Sequence, residues 1–363
     1  MPNRKFIVRA GLEKYPVIIG PVKSDFKALL KESVNVAIVS NPTVFALHGE
    51  AFIQKYLPAG VKAVPIVMGD GEKYKTQKTV NTLYDHFFDI GLSRKDMVIA
   101  LGGGVVGDTA GFAAATFKRS VKLIQAPTSL LAMVDSSIGG KVGVNHSLGK
   151  NLIGTFYQPK AVVVNENWLK TLGRREIVEG LGEIVKVGFI SGSDFLTKAC
   201  AIDCSSKSEI NGKLFKLALT AMKFKADVVA RDTFDSGKRM ILNFGHTFGH
   251  AIEKVEGYRR YRHGEAVLAG IAGALHLSYS CGRLTRTDFN SGMMFIDKFR
   301  TSLKPLKNKP SDYLTPMYVD KKNSNGKLVF VLLDRIGTPR IKAIDSKKKI
   351  IDAISFMIEF VNG

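Results

Sequence analysis

Cysteine is scarce in this sequence. Only Cys200, Cys204 and Cys281 occur in 363 residues. So few thiols cannot provide a disulfide framework for a chain of this length, which excludes a disulfide-rich secreted fold. The first two are spaced CxxxC without a second pair, and this argues against a zinc–thiolate site.

Long hydrophobic runs are also lacking. The longest, from Ala266 to Leu275, has ten residues, which is about half of a membrane-spanning helix. The segment from Met1 to Pro16 has no apolar core of the kind that a secretory signal requires. We therefore expect a cytoplasmic protein without a membrane partner.

Acidic residues are too few to balance the basic ones. The chain has 53 Lys and Arg against 32 Asp and Glu, a net charge of +21. Such an excess suits an anionic partner, whether nucleic acid, membrane or a phosphorylated substrate. The densest basic cluster is only Lys347–Lys349, and no basic stretch is interleaved with aromatic residues. This distribution favours a small anionic, phosphorylated substrate over specific nucleic-acid binding.

The first half of the chain alternates apolar runs with amphipathic segments. Thr76–Ile90 has apolar residues at helical spacing. The apolar runs, each predicted to form a buried strand, are Val36–Ser40, Val61–Met68, Met97–Leu101, Val121–Gln125 and Ala161–Val164. Strands that alternate with helices predict a parallel sheet with crossover helices.

Helical spacing dominates from Arg174 onwards. We therefore place a domain boundary near Leu172 and Gly173, which gives an α/β domain of residues 1–172 and a mainly helical domain of residues 173–363. A late hairpin is predicted at Leu328–Leu333 and Arg340–Ala343. The two apolar helical stripes are Leu214, Leu217, Ala218, Ala221 and Val228, and Ile241, Phe244, Phe248, Ile252 and Val255.

A glycine-rich loop follows the predicted strand Met97–Leu101. Gly102, Gly104 and Gly107 match the pattern GxGxxG, in which the backbone approaches a pyrophosphate and the next helix offers its N–H groups. The acidic residue usual about 20 positions later in dinucleotide sites is absent, since Val121–Ser129 has no Asp or Glu. The loop therefore predicts a phosphate cradle, and a tight turn without a ligand is the alternative.

A second polar and glycine-rich stretch runs from Asp135 to Lys141 and continues to Asn145, Lys150 and Asn151. Lysines in such loops can hold a phosphate or a carboxylate as point charges. Apolar segments flank the stretch at Leu130–Val134 and Leu152–Phe156. We expect these flanks to draw it towards a core, in contrast to a solvated surface loop.

The third signal is a set of metal-ligand residues. His246 and His250 are four residues apart, which places them on one helical face, and this spacing is typical of zinc sites that have a third ligand nearby. His263 and Glu183 are the candidates for that third ligand. Spacing alone favours His246 with His250.

Together these motifs resemble the 3-dehydroquinate synthase family, which acts in the shikimate pathway of aromatic amino-acid biosynthesis. The resemblance covers about Gly69 to Leu333. It implies an N-terminal Rossmann-like α/β domain, a mainly helical C-terminal domain, NAD, and a zinc or cobalt ion held by Glu183, His246 and His263. It also implies a lyase that converts 3-deoxy-D-arabino-heptulosonate 7-phosphate into 3-dehydroquinate and phosphate, with NAD recycled.

The resemblance also implies roles for individual positions. Asn151, Asn243 and His250 match phosphate contacts, and Arg119 matches a residue that reaches across a homodimer interface. Either Lys321 or Lys322 matches a further phosphate contact. The implied catalytic and substrate-binding residues are Arg119, Asp135, Lys141, Asn151, Lys186, Lys225, Asp235, Arg239, Asn243 and His250. The implied cofactor-binding residues are Asp70, Gly71, Glu72, Lys73, Tyr74, Lys75, Gly103, Gly104, Val105, Val106, Gly107, Asp108, Thr128, Ser129, Lys141, Lys150, Trp168, Leu169, Lys170 and Thr171.

The chain departs from the family pattern in places. Gly182 stands where the family usually has Ala, Ser120 where it has Gly, and Asp235 where it has a Glu whose carboxylate reaches about 1.5 Å further. The alternatives are another sugar-phosphate cyclase of the valiolone or inosose type, a metal-dependent alcohol or glycerol dehydrogenase, and a nucleic-acid-binding protein. Retention of Arg239, Asn243 and His250 favours dehydroquinate formation.

Overall fold

The computed structural model describes residues 4–203, 210–319 and 327–363. Cys204, Lys321 and Lys322 lie outside this part of the chain. The chain divides into two compact units, Met1–Gly173 with Ala218–Phe234, and Arg174–Leu217 with Asp235–Gly363. The predicted domains are continuous in sequence, whereas the first unit takes one segment from the second half of the chain.

The strands are β1 Lys5–Ala10, β2 Glu13–Ile19, β3 Asn35–Ser40, β4 Lys62–Val67, β5 Met97–Gly102, β6 Lys122–Pro127, β7 Lys141–His146, β8 Gly149–Phe156, β9 Ala161–Val164, β10 Leu328–Arg335 and β11 Thr338–Ile344. The α-helices are α1 Lys23–Leu29, α2 Pro42–Val44, α3 Glu50–Tyr56, α4 Gln77–Asp89, α5 Gly104–Thr116, α6 Arg174–Ser191, α7 Ser193–Cys200, α8 Phe215–Arg231, α9 His246–Val255, α10 His263–Ser280, α11 Arg286–Asp297, α12 Pro310–Val319 and α13 Lys347–Asn362. Short 3-10 or π-helical turns are Phe45–Gly49, Glu72–Tyr74, Phe117–Arg119, Ala132–Ser136, Glu166–Thr171, Ile210–Leu214, Lys238–Asn243 and Arg300–Ser302.

The first unit is built on a seven-stranded sheet in the order β1-β2-β9-β6-β5-β3-β4. All neighbours pair in parallel except β1 and β2, which form an antiparallel hairpin. The central strands β5 and β9 are buried along their whole length, as expected of a parallel sheet covered on both faces. The edge strand β4 is mostly exposed and contains Pro65, which cannot donate a ladder hydrogen bond.

A separate hairpin, β7 with β8, corrects one sequence prediction. Residues 137–140 of the polar stretch are buried, as expected. The segment Leu152–Phe156 is not what buries them, because β8 is largely exposed and the exposed fractions of Leu152 and Phe156 are 42% and 36%. Leu130–Val134, on the other side of the stretch, is largely buried. Strand β8 has no apolar alternation, and this explains why the sequence did not reveal it.

In its described residues, the second unit is helical apart from the hairpin of β10 and β11. Its central helix is α10, which is buried on all sides between Gly264 and Leu275 and packs against α6, α9, α11 and α13. A helix that is apolar all round must lie inside a core, and this explains the longest apolar run of the sequence. Among the described residues, no helix combines the length and apolar character that a membrane span needs.

The second predicted helical stripe is interrupted. Ile241 lies in a 3-10 turn, and Gly245 adopts the left-handed region with φ +77° before α9 begins at His246. A single helix over Ile241–Val255 was therefore wrong at its start. The predicted fold class, an α/β domain and a mainly α-helical domain, is confirmed.

Candidate functional site

The glycine-rich loop of the first unit joins β5 to α5. Gly102 ends the strand and Gly104 begins the helix. A Cβ atom at Gly104 would lie 3.2 Å from Ser136 Oγ, and one at Gly107 would lie 2.8 Å from Gln125 Oε1. The backbone is thus packed too tightly for side chains. The first N–H groups of a 13-residue helix stay available to an anion.

Asp108 lies in α5 just after this loop and pairs with Lys75. Lys75 Nζ is 2.5 Å from Asp108 Oδ2 and also contacts Asn151 Oδ1. Burial raises the pKa of Asp108, and the Lys75 ammonium opposes the rise. Asn145 extends the network, because its amide donates to Glu72 Oε1 at 2.7 Å and its Oδ1 accepts from the Asn151 backbone at 2.9 Å.

The network brings together several predicted cofactor-binding positions. Within the motif Asp70–Lys75, Lys75 is buried and the other residues are exposed. Asp70 accepts a hydrogen bond from Thr43 at 2.8 Å. Ser129 lies against Gly103, because a Cβ atom there would be 3.4 Å from Ser129 Oγ.

The turn Glu166–Thr171 contains four further predicted cofactor-binding positions. Leu169 is fully buried, and Trp168 packs against Phe52 with ring centroids 6.3 Å apart. Thr171 Oγ1 lies 3.0 Å from His48 Nε2. Two of the four side chains therefore belong to the core of the first unit.

The substrate-binding lysines predicted in the first unit differ in environment. Lys225 is buried, donates to the Asp135 backbone oxygen at 2.6 Å, and also contacts the Asp135 carboxylate. Lys141 is exposed and lies over the Phe156 ring, 5.9 Å from its centroid. Lys150 is half-buried.

Arg119 lies in a strained turn. Lys118, Arg119 and Ser120 have φ values of +47°, +63° and +103°. Non-glycine residues rarely adopt this region, and each one there costs about 1–3 kcal/mol. A run of three such residues is the most strained part of the described backbone, and it presents one of the predicted functional side chains.

The three predicted metal ligands of the second unit come together from three helices. Glu183 lies within α6, whereas His246 and His263 are the first residues of α9 and α10. Nε2 of each histidine lies 3.4 Å from Glu183 Oε1. A tetrahedral site with ligand distances of about 2.1 Å separates neighbouring ligand atoms by about 3.4 Å. The spacing therefore fits a metal ion.

Hydrogen bonds orient both imidazoles. His246 Nδ1 donates to the Phe244 carbonyl at 3.2 Å, and His263 Nδ1 lies 3.2 Å from Glu253 Oε2. Each ring therefore presents Nε2 towards Glu183, as metal-binding histidines do. Glu183 Oε1 is buried and accepts no hydrogen bond from the described residues. A buried carboxylate oxygen of this kind requires a partner, and a cation would provide it.

The ionisable groups of the cluster strongly influence one another's protonation. Burial raises the pKa of Glu183, but Lys186 and the two histidines outweigh burial and hold the pKa well below its usual range. Burial holds the pKa of His246 well below its usual range. Burial also lowers the pKa of His263, but the neighbouring carboxylates of Glu183 and Glu253 outweigh it and raise the pKa well above its usual range.

Glycines at the helix crossings make this geometry possible. A Cβ atom at Gly182 would lie 2.4 Å from the Gly264 carbonyl oxygen, and one at Gly264 would lie 1.8 Å from that of Glu179. Helices α6 and α10 therefore touch through their backbones next to Glu183 and His263. A Cβ atom at Gly270 would similarly lie 2.2 Å from the Gly245 carbonyl oxygen, beside His246.

The other predicted site residues of the second unit either contact this cluster or lie in the segment that precedes α9. Lys186 is buried and donates to Glu183 Oε2. His250 is half-buried, with its ring centroid 5.4 Å from that of His246. Arg239 is buried and Asn243 half-buried in the turn that precedes α9. Asp235 has φ +57°, a conformation that Asp tolerates better than most residues.

Sequence reasoning missed Glu253. This residue belongs to a second group of potential ligands, His250, Glu253 and His263. Its signal was the spacing from His246, since residues 246, 250 and 253 share one face of a helix.

The first unit is a Rossmann-like α/β unit with a glycine-rich anion loop, and the second is a helical unit with a cluster of two histidines and one carboxylate. These features together are typical of metal-dependent enzymes that use a dinucleotide. The family model of the 3-dehydroquinate synthase N-terminal domain matches residues 65–179, and that of the C-terminal domain matches residues 180–323. The 3-dehydroquinate synthase of Pelotomaculum thermopropionicum is 40% identical over 98% of this chain and 95% of its own length. The 3-dehydroquinate synthase of Pseudomonas aeruginosa is 40% identical over 96% of this chain and 95% of its own length. The chain belongs to the 3-dehydroquinate synthase family.

Solved structures agree with this fold. A 2-epi-5-epi-valiolone synthase from Streptomyces hygroscopicus, with NAD+ and Zn2+ bound, has a TM-score of 0.83 and 25% identity over 95% of this chain and 97% of its own. A 2-deoxy-scyllo-inosose synthase complexed with carbaglucose-6-phosphate, NAD+ and Co2+ also has a TM-score of 0.83. It is 24% identical over 96% of this chain and 99% of its own. The family and the enzyme class expected from the sequence, a phosphate-eliminating lyase, are confirmed.

Proposed function

We propose that this chain converts 3-deoxy-D-arabino-heptulosonate 7-phosphate into 3-dehydroquinate and phosphate, with NAD and a divalent metal ion, zinc or cobalt, as cofactors. The observation that carries the proposal is the orientation of His246 and His263, which both present Nε2 to Glu183. The NAD+ and Zn2+ or Co2+ present in the two related cyclases support the choice of cofactors.

The cofactors have separate binding residues in this proposal. Glu183, His246 and His263 hold the metal ion, and the loop Gly103–Asp108 with the network around Lys75 holds NAD. When bound, the cofactors supply transient oxidation of one substrate hydroxyl, with no net redox change, and Lewis-acid polarisation of its oxygen. In this proposal NAD binds to the part of the first unit formed by residues 1–172, and the metal ligands belong to residues 173–363, of which Ala218–Phe234 packs with the first unit.

The residues of the chain bind and orient a substrate that carries a phosphate and a carboxylate. Lys141, Lys225 and Arg239 provide positive charge, and the Arg239 guanidinium can hold a planar carboxylate through two hydrogen bonds. Asn151 of the first unit, and Asn243 and His250 of the second, are each able to donate a hydrogen bond to a phosphate oxygen. Lys186 neutralises the second oxygen of Glu183 and fixes that carboxylate.

The proposal extends to assembly. The backbone of the turn Lys118–Ser120 keeps Arg119 at φ +63°, and such strain persists where function maintains it. We propose a homodimer in which Arg119 extends to the partner subunit, in the cytoplasm. Sedimentation of the purified chain tests the assembly directly, and a monomer at working concentration would contradict it.

The direct test is incubation of the chain with the heptulosonate phosphate, NAD+ and zinc, with phosphate release and the cyclic product followed together. Both should appear in equal amounts, and NAD should be needed only in catalytic quantity. Accumulation of NADH in proportion to product would identify a dehydrogenase. Turnover of a different sugar phosphate, without activity on the heptulosonate, would identify a valiolone- or inosose-type cyclase.

A further inference from the structure

Glu253 is a buried acidic residue without a role in the proposed chemistry. It lies on α9, and its side chain is only 8% exposed. Its Oε2 is 3.2 Å from His263 Nδ1. A buried carboxylate is costly unless it is paired, so this contact has to be considered together with the cluster on the other side of the same imidazole.

His263 has only two ring nitrogens, and they point in different directions. Nδ1 faces Glu253, whereas Nε2 faces Glu183 at 3.4 Å. Two ligand sets are therefore possible, one with Glu183 and His246, the other with His250 and Glu253. In the first ligand set, the buried oxygen Glu183 Oε1 accepts no hydrogen bond from the described residues. In the second ligand set, the Glu253 carboxylate already faces the N–H of His263.

We propose that Glu253 is a positioning residue, which keeps the His263 proton on Nδ1, fixes the ring plane and makes Nε2 a stronger metal ligand. This inference rests on the metal centre of the proposed function. His246 has the weaker form of the same arrangement, because its Nδ1 faces the neutral carbonyl of Phe244. Glu253 adds a full negative charge next to the centre, where it attracts a dication. Removal of such an outer partner typically weakens metal affinity by about 10–100-fold.

The test measures the dissociation constants for Zn2+ and Co2+ in the full-length chain, by competition with a chromophoric chelator. Glu253→Gln keeps the shape of the side chain and removes its charge. We expect affinity to fall by about 10–100-fold while one ion is still bound per chain. If Glu253→Gln does not fold, Glu253→Asp provides the same measurement. It keeps the charge but withdraws the carboxylate by about 1.5 Å, and affinity should again fall.

Glu256→Gln is the matched control. Glu256 follows α9, is 3% exposed in its side chain, and accepts hydrogen bonds from Arg260 and Tyr313 at 2.9 Å. Its loss should lower the melting temperature and leave metal affinity unchanged. A purely structural role for Glu253 would give the same result in both variants.

The outcomes separate the two proposals. If Glu253→Gln binds metal as tightly as the unaltered chain, the positioning role is wrong and the metal centre stands. If that variant binds no metal at all, as a ligand variant would, Glu253 is a ligand and the positioning role is again wrong. If the unaltered chain binds neither ion, the metal centre of the proposed function fails, and this inference fails with it.

Discussion

The crossing of α6 and α10 at Gly182 and Gly264 allows a sharp prediction about Gly182→Ala. The added methyl carbon would lie 2.4 Å from the Gly264 carbonyl oxygen and 2.8 Å from its Cα. Carbon and oxygen atoms in close contact are about 3.3–3.6 Å apart, so the helices must separate locally by about 1 Å. The crossing in this chain is therefore closer than an Ala at position 182 permits.

Two opposing energies follow from this displacement. Ala is favoured over Gly inside a helix by about 1 kcal/mol, whereas overpacking of a core costs about 1–3 kcal/mol. We therefore expect a net loss of stability of up to about 2 kcal/mol. Glu183 and His263 are the neighbours of the two glycines, so the distance between their ligand atoms should increase as well. Sites of this kind need their ligands held within about 0.5 Å, and metal affinity should fall by about tenfold or more.

Urea unfolding and metal competition measure the two effects separately. Gly212→Ala is the control, because Gly212 lies in a helical turn and an added Cβ there would have none of the described atoms within 4 Å. The free energy of unfolding of this variant should rise by up to about 1 kcal/mol, and its metal affinity should equal that of the unaltered chain. If Gly182→Ala also gains stability and keeps its metal affinity, the helices adjust without cost and glycine does not set the ligand spacing.

Three further predictions rest on other features. His246→Ala should remove bound metal, whereas His250→Ala should keep the metal and lose catalysis. The metal content of both purified variants tests this, and the reverse pattern would make His250 the ligand. Burial raises the pKa of Asp96, but hydrogen bonds from three backbone N–H groups and from a serine side chain outweigh it and lower the pKa. Its contribution to stability should be complete above about pH 4 and disappear as the pH falls through the lowered value, so Asp96→Asn should flatten the acid limb of the stability curve; equal slopes would contradict this. Ser120→Gly should stabilise the chain by up to about 1 kcal/mol in urea unfolding, because φ is +103° there, and a less stable variant would show that the serine compensates for its strain.

The sequence predicted strands correctly where both faces of the strand are buried. Met97–Leu101 and Ala161–Val164 are uninterrupted apolar runs because both faces of their strands are covered. Strand β8 has no such signal, since most of its side chains are exposed. The hairpin of β1 and β2 was missed because Glu13 and Lys14 begin β2 with exposed charges.

The proposed metal ligands show a different limit of sequence reasoning. Spacing placed His246 and His250 on one face and left the third ligand open, because helical periodicity contains no information about contacts between helices. The contact between Glu183 and the two histidines depends on glycines that let backbones touch. Only the resemblance to a family indicated that set. Glu253 had the right spacing but was one of several charged residues on α9.

Helix α10 begins with a proposed metal ligand and continues as the centre of the second unit. Because every face of the helix between Gly264 and Leu275 is buried, it has little surface on which substitutions could accumulate without effect. Variation among descendants of this sequence should therefore concentrate elsewhere, as on the largely exposed strand β8. Helix α10 would be inherited almost unchanged while the more exposed elements diverge around it.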